Sequence, residues 1–342
     1  MFLRSLSHAL PPQSWTQEEC WHAVRDSPVR HQLKPRSLAL LEKVLLGNSG
    51  IATRHFATDR LTHLLDRDAQ QLSESFEKEA SLLATTALQQ AMQRAEIGTV
   101  DALIVCTCTG YLCPGLSSHI AERAALPHST WLLDNTGAGC GAAIPSLRAA
   151  TQYLQAHPTH RAAVVAVEIC SAAFYISDDP GVLISLCLFG DGAAAVILDG
   201  ESVRRPHALR FSHFTSLHDP AHREKIRFVN RDGKLCNQLH RSVPEIAAEA
   251  VEKLLLAANT TTAPKLISHA GGKEVLAAIH QRLPQHPHTE ALAVLQACGN
   301  LSSPSVLLAL EKSLATHPQD THQLVSFGAG FSAHHCLLSP PG

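Results

Sequence analysis

No stretch of this 342-residue chain approaches the roughly 20 consecutive apolar residues that a bilayer-spanning helix needs. Its longest apolar runs are strand-sized, and Met1-Phe2-Leu3-Arg4-Ser5-Leu6-Ser7-His8-Ala9-Leu10 is too short of apolar length for a secretory signal, so no membrane span and a cytoplasmic location are expected. There is also no basic tract. Lys+Arg of 28 against Asp+Glu of 30 leaves a net charge of −2, which argues against a nucleic-acid footprint or a membrane-surface patch and for a small-molecule ligand. Low-complexity segments are absent as well.

Ten cysteines and 22 histidines are present, but not in metal-binding patterns. Cys106, Cys108 and Cys113 fit no common zinc spacing and no His-Glu-x-x-His run occurs, so no metal site is expected. The cysteines are scattered along a large chain without the dense framework of small secreted domains, which favours free thiols.

What the chain does have is 45% hydrophobic content, ample for a large core, and an alternation of helical and extended patterns. Ala69 to Arg94, free of Gly and Pro, predicts a long amphipathic helix. Asp101 to Cys106 predicts a buried strand. Pro145 to Ala156 (helix), Ala162 to Ile169 (strand) and Ala193 to Leu198 (strand) continue the rhythm. It returns in Pro244 to Ala258 (helix), Lys265 to Ser268 (strand), Lys273 to Arg282 (helix) and Ser303 to Ala315 (helix). Two closing strands, Gln323 to Phe327 and Phe331 to Leu338, meet at Gly328-Ala329-Gly330. The polar stretch Gly200 to Phe214 is expected to cross between two similar halves. The pattern predicts an α/β fold of mixed sheets covered by helices. The roughly 45 residues before Asn48 suggest only shorter helical or extended segments.

Cys140 lies in the run Gly137-Ala138-Gly139-Cys140-Gly141-Ala142-Ala143, ahead of a helical stretch. A thiol between small residues at a helix N-terminus is accessible and drawn toward thiolate, which makes it a candidate nucleophile. A lone Cys in such a run is also often a small core residue. Later segments offer a histidine, His269 before Gly271-Gly272, and an asparagine, Asn300 in Gly299-Asn300-Leu301-Ser302-Ser303-Pro304. A thiolate attacks thioesters readily, and an imidazole N–H with an amide N–H can stabilise one oxyanion without adding a competing negative charge. The set points to acyl transfer.

From about Asn48 onward, ordered landmarks carry a resemblance: Asn48 to Arg54, Cys106 to Gly115, Gly139-Cys140-Gly141, Leu188-Phe189-Gly190-Asp191-Gly192, His269 to Gly272, Gly299 to Pro304, and Phe327 to Phe331. Together they resemble the type III polyketide synthases, the chalcone and stilbene synthase family of thiolase-fold condensing enzymes. The resemblance implies a thiolase-like fold of two αβαβα halves, 1–205 carrying the nucleophile and 206–342 carrying the His and Asn. It implies acyl-CoA and malonyl-CoA as substrates, no cofactor, and a homodimer. Cys140 would bear the acyl chain, with His269 and Asn300 stabilising the enolate formed when malonyl-CoA loses carbon dioxide.

By the same resemblance Phe189 is a gatekeeping aromatic, Arg54 falls at the CoA entrance, and Cys108 and Cys113 line the pocket, Cys113 reaching across the dimer. Small thiols there would leave room for a bulkier intermediate. A second gatekeeping aromatic is expected near Leu235 to Leu239, where Leu-Cys-Asn-Gln-Leu stands instead. Ala270 and Lys273 also depart from the family's histidine segment. Two rival readings are a ketoacyl-ACP synthase III-like single condensation and a catalytically silent thiolase-fold scaffold. No carrier attachment motif occurs.

Overall fold

The computed structural model describes residues 1–258 and 264–341. Its strands are β1 (Phe2–Ala9), β2 (Ser14–Thr16), β3 (Thr53–His55), β4 (Ala102–Thr107), β5 (Trp131–Thr136), β6 (Arg161–Glu168), β7 (Gly192–Asp199), β8 (Arg210–His218), β9 (Ile226–Arg231), β10 (Lys234–Leu239), β11 (Lys265–Ser268), β12 (His322–Gly328) and β13 (Ser332–Ser339). Its helices are α1 (Gln17–Arg25), α2 (Pro35–Leu45), α3 (Ala69–Ala95), α4 (Leu116–Arg123), α5 (Ala143–Ala156), α6 (Pro180–Leu188), α7 (Val243–Ala258), α8 (Lys273–Arg282), α9 (Thr289–Cys298) and α10 (Ser305–Thr316).

Nine strands form one sheet in the order β11-β12-β13-β8-β1-β7-β6-β4-β5. The join between β1 and β8 is narrow, with Phe2 opposite Arg210 and the Leu3 N–H donating to the Leu209 carbonyl at 2.8 Å. Outward from it the two arms repeat. In each, the opening strand (β1 or β8) lies antiparallel to the closing strand (β7 or β13), which is antiparallel to the one before it (β6 or β12), which is parallel to an earlier one (β4 or β11).

Helices sort into layers by the faces they cover. α3 lies on β1, β6 and β7, while α7 covers β8 and β13 on the other arm. Between the arms sit α5, which touches β4 and β6 but also β12 and β13, and α10, which touches β11 and β12 but also β1. The result is five layers: helix, one arm of the sheet, helix, the other arm, helix. Strands covered on both faces must be apolar throughout, and β6 from Ala162 to Val167 and β7 from Ala193 to Leu198 are completely buried. The central layer draws Ile144, Leu147, Leu307 and Leu310 into one cluster with residues of both arms.

Residues 1–10, read as uninformative, supply the strand at the join. β1 escaped notice because Arg4, Ser5, Ser7 and His8 break its apolar pattern. Each finds a partner: Arg4 on the Ala95 carbonyl at 2.8 Å, Ser5 on the Ala91 carbonyl at 2.7 Å, Ser7 on Gln90 at 3.1 Å and His8 on Glu311 at 2.5 Å. The stretch expected to cross between halves ends in strand, since β8 begins at Arg210. No helix among the described residues is long and apolar enough to cross a membrane.

Candidate active site

The loops that leave the C-terminal ends of the parallel strands converge, as they do in open α/β sheets. Cys108 follows β4, Cys140 follows β5, Glu168 ends β6, and His269 follows β11. Asn300 arrives from the C-terminal end of α9, with its N–H on the Leu188 carbonyl at 2.8 Å and its carbonyl accepting from Gly190 N–H at 3.1 Å. These two bonds tie the asparagine loop to the segment carrying Phe189.

Cys140, His269 and Asn300 line one cavity of about 650 Å³. Cys140 sits in a short 3-10 turn, Gly139–Gly141, just before α5, so it has the helix-end position the sequence suggested. The turn is pressed against β12. A Cβ on Gly328 would lie 2.8 Å from both the Cys140 and Gly141 nitrogens, and Gly139, at φ +61°, packs against the Ala329 nitrogen.

His269 is buried with its ring edge-on to Phe327 at 5.2 Å, and its Nδ1 is sealed without a partner. The Asn300 amide is fixed from both ends: Nδ2 donates to the Gly271 carbonyl at 3.2 Å and Oδ1 accepts from the Ser302 N–H at 2.8 Å. One of its two amide hydrogens is thereby left over. Burial pushes the Cys140 thiol up to about 12 and the His269 imidazole down to about 3. Each group alone is neutral. Moving the thiol proton to the imidazole would place two opposite charges in one cavity, an arrangement that offsets the burial cost of both.

Behind Cys140 lies a polar network the sequence reading missed. Ser302 Oγ is 3.2 Å from the Cys140 sulfur, 3.3 Å from the Cys108 sulfur and 3.3 Å from Glu168 Oε1. Ser302 itself is held at φ +57°, a left-handed backbone uncommon outside glycine and typical of strained site residues. Glu168 is completely buried. Its Oε1 also accepts from Ser303 Oγ at 2.6 Å, and its Oε2 accepts from Cys108 N–H at 2.9 Å, Thr109 N–H at 3.1 Å, Thr109 Oγ1 at 2.9 Å and Thr107 Oγ1 at 3.2 Å. Burial raises its pKa above the usual carboxylate range while these donors pull it back. The available signal was a single acid closing an otherwise apolar strand run.

Arg54 is not at the cavity. It is 1% exposed, with Nε on Gln17 Oε1 at 2.8 Å and Nη1 on the Leu186 and Phe189 carbonyls at 2.7 and 2.9 Å. It fastens the end of α6 and so positions Phe189, which lines the catalytic cavity. Basic side chains at that cavity come instead from Lys43, Lys273, Arg227 and Arg241, and Lys273 Nζ also reaches the Asn48 carbonyl at 3.3 Å.

Cys108 lines the catalytic cavity and two neighbours, whereas Cys113 is exposed and lines none of the three. On its inner side Cys108 faces little room. The inner pocket bounded by Cys108, Cys170, Ala173 and Phe189 holds about 20 Å³, room for about one water. No aromatic occupies Leu235 to Leu239; Phe228 on β9 stands opposite Asn237 on β10 and lines the catalytic cavity. No His, Cys, Asp and Glu cluster suited to a metal occurs among the described residues.

A family model described as FAE1/Type III polyketide synthase-like protein matches residues 11–267. The chain is 28% identical to a 1,3,6,8-tetrahydroxynaphthalene synthase of Streptomyces coelicolor, over 97% of this chain and 90% of that one. It is also 28% identical to a 3,5-dihydroxyphenylacetyl-CoA synthase of Streptomyces toyocaensis, over 80% of this chain and 77% of that one. The crystal structure of the S. coelicolor tetrahydroxynaphthalene synthase superposes with a TM-score of 0.85 at 26% identity, covering all of both chains. A polyketide synthase from the brown alga Ectocarpus siliculosus superposes with a TM-score of 0.88 at 22% identity over 99% of this chain and 98% of that one, a likeness of fold. The layered, duplicated sheet is thus the thiolase fold, and the chain belongs to the FAE1/type III polyketide synthase-like family.

Proposed function

We propose that Cys140 takes an acyl group from a CoA starter and that His269 and Asn300 stabilise the enolate formed as malonyl-CoA loses carbon dioxide. The observation that carries this reading is the meeting of those three residues, from three distant segments, in one cavity with lysines and arginines around it. In loading, the Cys140 proton passes to His269 Nε2, the sulfur attacks the starter thioester, and CoA leaves as the thiolate and is protonated by water, so that Nε2 keeps its hydrogen for extension. In extension, the malonyl C–C bond to the carboxylate breaks, and its electron pair becomes an enolate held by the His269 Nε2–H and the free Asn300 amide hydrogen. With Nδ1 sealed, Nε2 is the nitrogen that exchanges protons with the cavity.

The enolate then attacks the Cys140 thioester, forming a C–C bond as the C–S bond breaks, and the extended chain returns to Cys140 for another round before cyclisation. No metal or redox cofactor has a role in these steps. Lys43, Lys273 and Arg241 are assigned to the CoA phosphates, in place of Arg54. Neither His269 nor Asn300 adds a negative charge to the site, so the malonyl carboxylate meets no like charge from them and is free to depart.

A cytoplasmic homodimer accompanies this reading. β5 is one of the two edge strands of the nine-stranded sheet, with Trp131 41% exposed on it, and an edge of this kind suits pairing with a second copy. Cys113, exposed and lining none of the three cavities described, is free to approach the partner's. Residues 1–205 and 206–342 are read as the two halves of the duplication, which the matched strand order of the arms supports.

The test is carbon dioxide release from malonyl-CoA together with product mass. The reading expects products growing by successive two-carbon units, and release lowered by roughly 10²–10³ in His269→Ala and in Asn300→Ala. Unchanged release in either variant removes that residue from the role.

A further inference from the structure

Three cavities meet beside Cys140: the catalytic one of about 650 Å³, the inner pocket of about 20 Å³, and a third of about 780 Å³ that opens along the first turns of α3 at Ala69, Leu72, Ser73 and Phe76. Among the described residues only Cys108 and Phe228 line all three. Cys108 is small, so the Phe228 ring is the partition.

Its placement is well determined. β9 and β10 form a two-stranded hairpin in which Phe228 faces Asn237 across the register. Asn237 is buried, with Nδ2 on Ser185 Oγ at 2.9 Å, and its carbonyl presses so close on Gly181 that a Cβ there would sit 2.0 Å away. The hairpin is therefore anchored to α6, and the ring opposite Asn237 has a fixed wall to lean on. An inner pocket reduced to one water cannot receive a chain that gains two carbons per round, whereas the α3-side cavity has the volume of a drug-sized ligand site. That cavity shares Cys108, Gly139, Arg227, Phe228 and Ala329 with the catalytic one, so the two are contiguous beside the nucleophile.

We propose that Phe228 is the specificity-determining residue of this enzyme: its ring closes the inner pocket and turns the growing chain into the α3-side cavity. This rests on Cys140 carrying the chain, as proposed above. Two features make the cavity suitable for a poly-β-keto chain. Its walls mix apolar side chains such as Leu72 and Phe76 with donors from Asn230 and Arg223, and its volume of about 780 Å³ far exceeds the about 20 Å³ of the pocket beside Phe189.

The experiment is a substitution cycle in the full-length protein, read as product masses with acyl-CoA starters and malonyl-CoA. Ser73 is exposed at the α3-side cavity, so Ser73→Trp fills it with little demand on the core. The expected result is a roughly tenfold rise in the ratio of shorter to longer products. Phe228→Ala opens the inner pocket as a second route, so Ser73→Trp no longer shortens the products in that background. Adding Ala173→Leu, which refills the inner pocket, restores the shortening.

Ser73→Trp without effect on product length, or with the same effect whether or not the Phe228 ring is present, overturns the proposal. Phe228→Leu serves in the same cycle should the alanine variant not fold. Intact-protein mass of each variant after starter loading separates the two claims. A Cys140 adduct with unresponsive product lengths rejects the routing alone, and absence of the adduct in the unsubstituted protein rejects the nucleophile assignment beneath it.

Discussion

On one side of the Cys140 sulfur lies a network in which a buried carboxylate receives six hydrogen-bond contacts from Thr107, Cys108, Thr109, Ser302 and Ser303; on the other lies a wall where His269 Nδ1 has no partner and Asn300 keeps an amide hydrogen unused. Both sides are polar and buried, yet their accounts differ. The first is satisfied, and satisfied buried networks fix geometry. The second leaves the spare Asn300 amide hydrogen and His269 Nε2 uncommitted beside the cavity, which is what a site keeps for charge that appears only during reaction, while the sealed Nδ1 takes no part in it. The contrast separates the residues that hold the thiol from those that use it.

Substitutions on the two sides should therefore move different quantities. The largest effect belongs to the nucleophile, and Cys140→Ala should abolish the acyl adduct and all extension, measured by intact mass and product analysis, with an unchanged circular dichroism spectrum. On the cavity side, His269→Ala and Asn300→Ala should lose catalysis while the unfolding midpoint stays near that of the parent. Behind the sulfur, Glu168→Ala should do the reverse first. It orphans several buried donors at once, each costing about 1–3 kcal/mol, so the thermal midpoint should fall by many degrees. Were Glu168→Ala as stable as the parent, the satisfied network would not be what holds the turn.

Gly328→Ala tests the seam between the sides. The added methyl would sit 2.8 Å from two backbone nitrogens of the nucleophile turn, so loading should slow more than unfolding advances. A smaller effect is expected at the mouth. Lys273→Ala should raise the KM for malonyl-CoA several-fold with kcat little changed, because a phosphate contact far from the reacting carbon binds ground and transition states alike.

Acid should also weaken the molecule as a whole. Burial lowers His269 to about 3 and His288 and His335 to about 4, each from an ordinary 6.5. Below pH 6.5 the unfolded chain takes up protons at these positions and the folded chain does not, so stability is present above 6.5 and is lost as pH falls toward 4. Asp191, raised to about 6 by burial, and Glu168, raised for the same reason, work the opposite way, but His334 is also lowered to about 4, so these two acids stand against four imidazoles. Thermal midpoints should therefore decline steeply from pH 6.5 to 4; a flat profile would contradict the burial of these imidazoles.

How much of this was legible in the chain differs by element for physical reasons. α3 was readable because 26 of its residues, Ala69 to Arg94, contain neither Gly nor Pro, and it runs to Ala95. β11 and α8 have the bounds their patterns predicted. β1 was not readable, since its polar side chains are paid for by partners 83 or more residues away. The hairpin was missed although Asp232-Gly233, both at positive φ, is the strongest short signal for one. Arg54 misled because an arginine in a landmark segment suggests phosphate, and only the fold shows its guanidinium spent on Gln17 and two carbonyls. No aromatic stands at Leu235 to Leu239, and the register of that same hairpin is what sets Phe228 of β9 opposite Asn237.

The measurement that bears most directly on the account is the intact mass of the protein after brief exposure to an acyl-CoA, followed by peptide mapping, with Cys140→Ala and Cys108→Ala alongside. The account predicts one acyl group per chain on the peptide containing Cys140, retained in Cys108→Ala and absent in Cys140→Ala. An adduct that persists in Cys140→Ala, or that maps to Cys108, would contradict it.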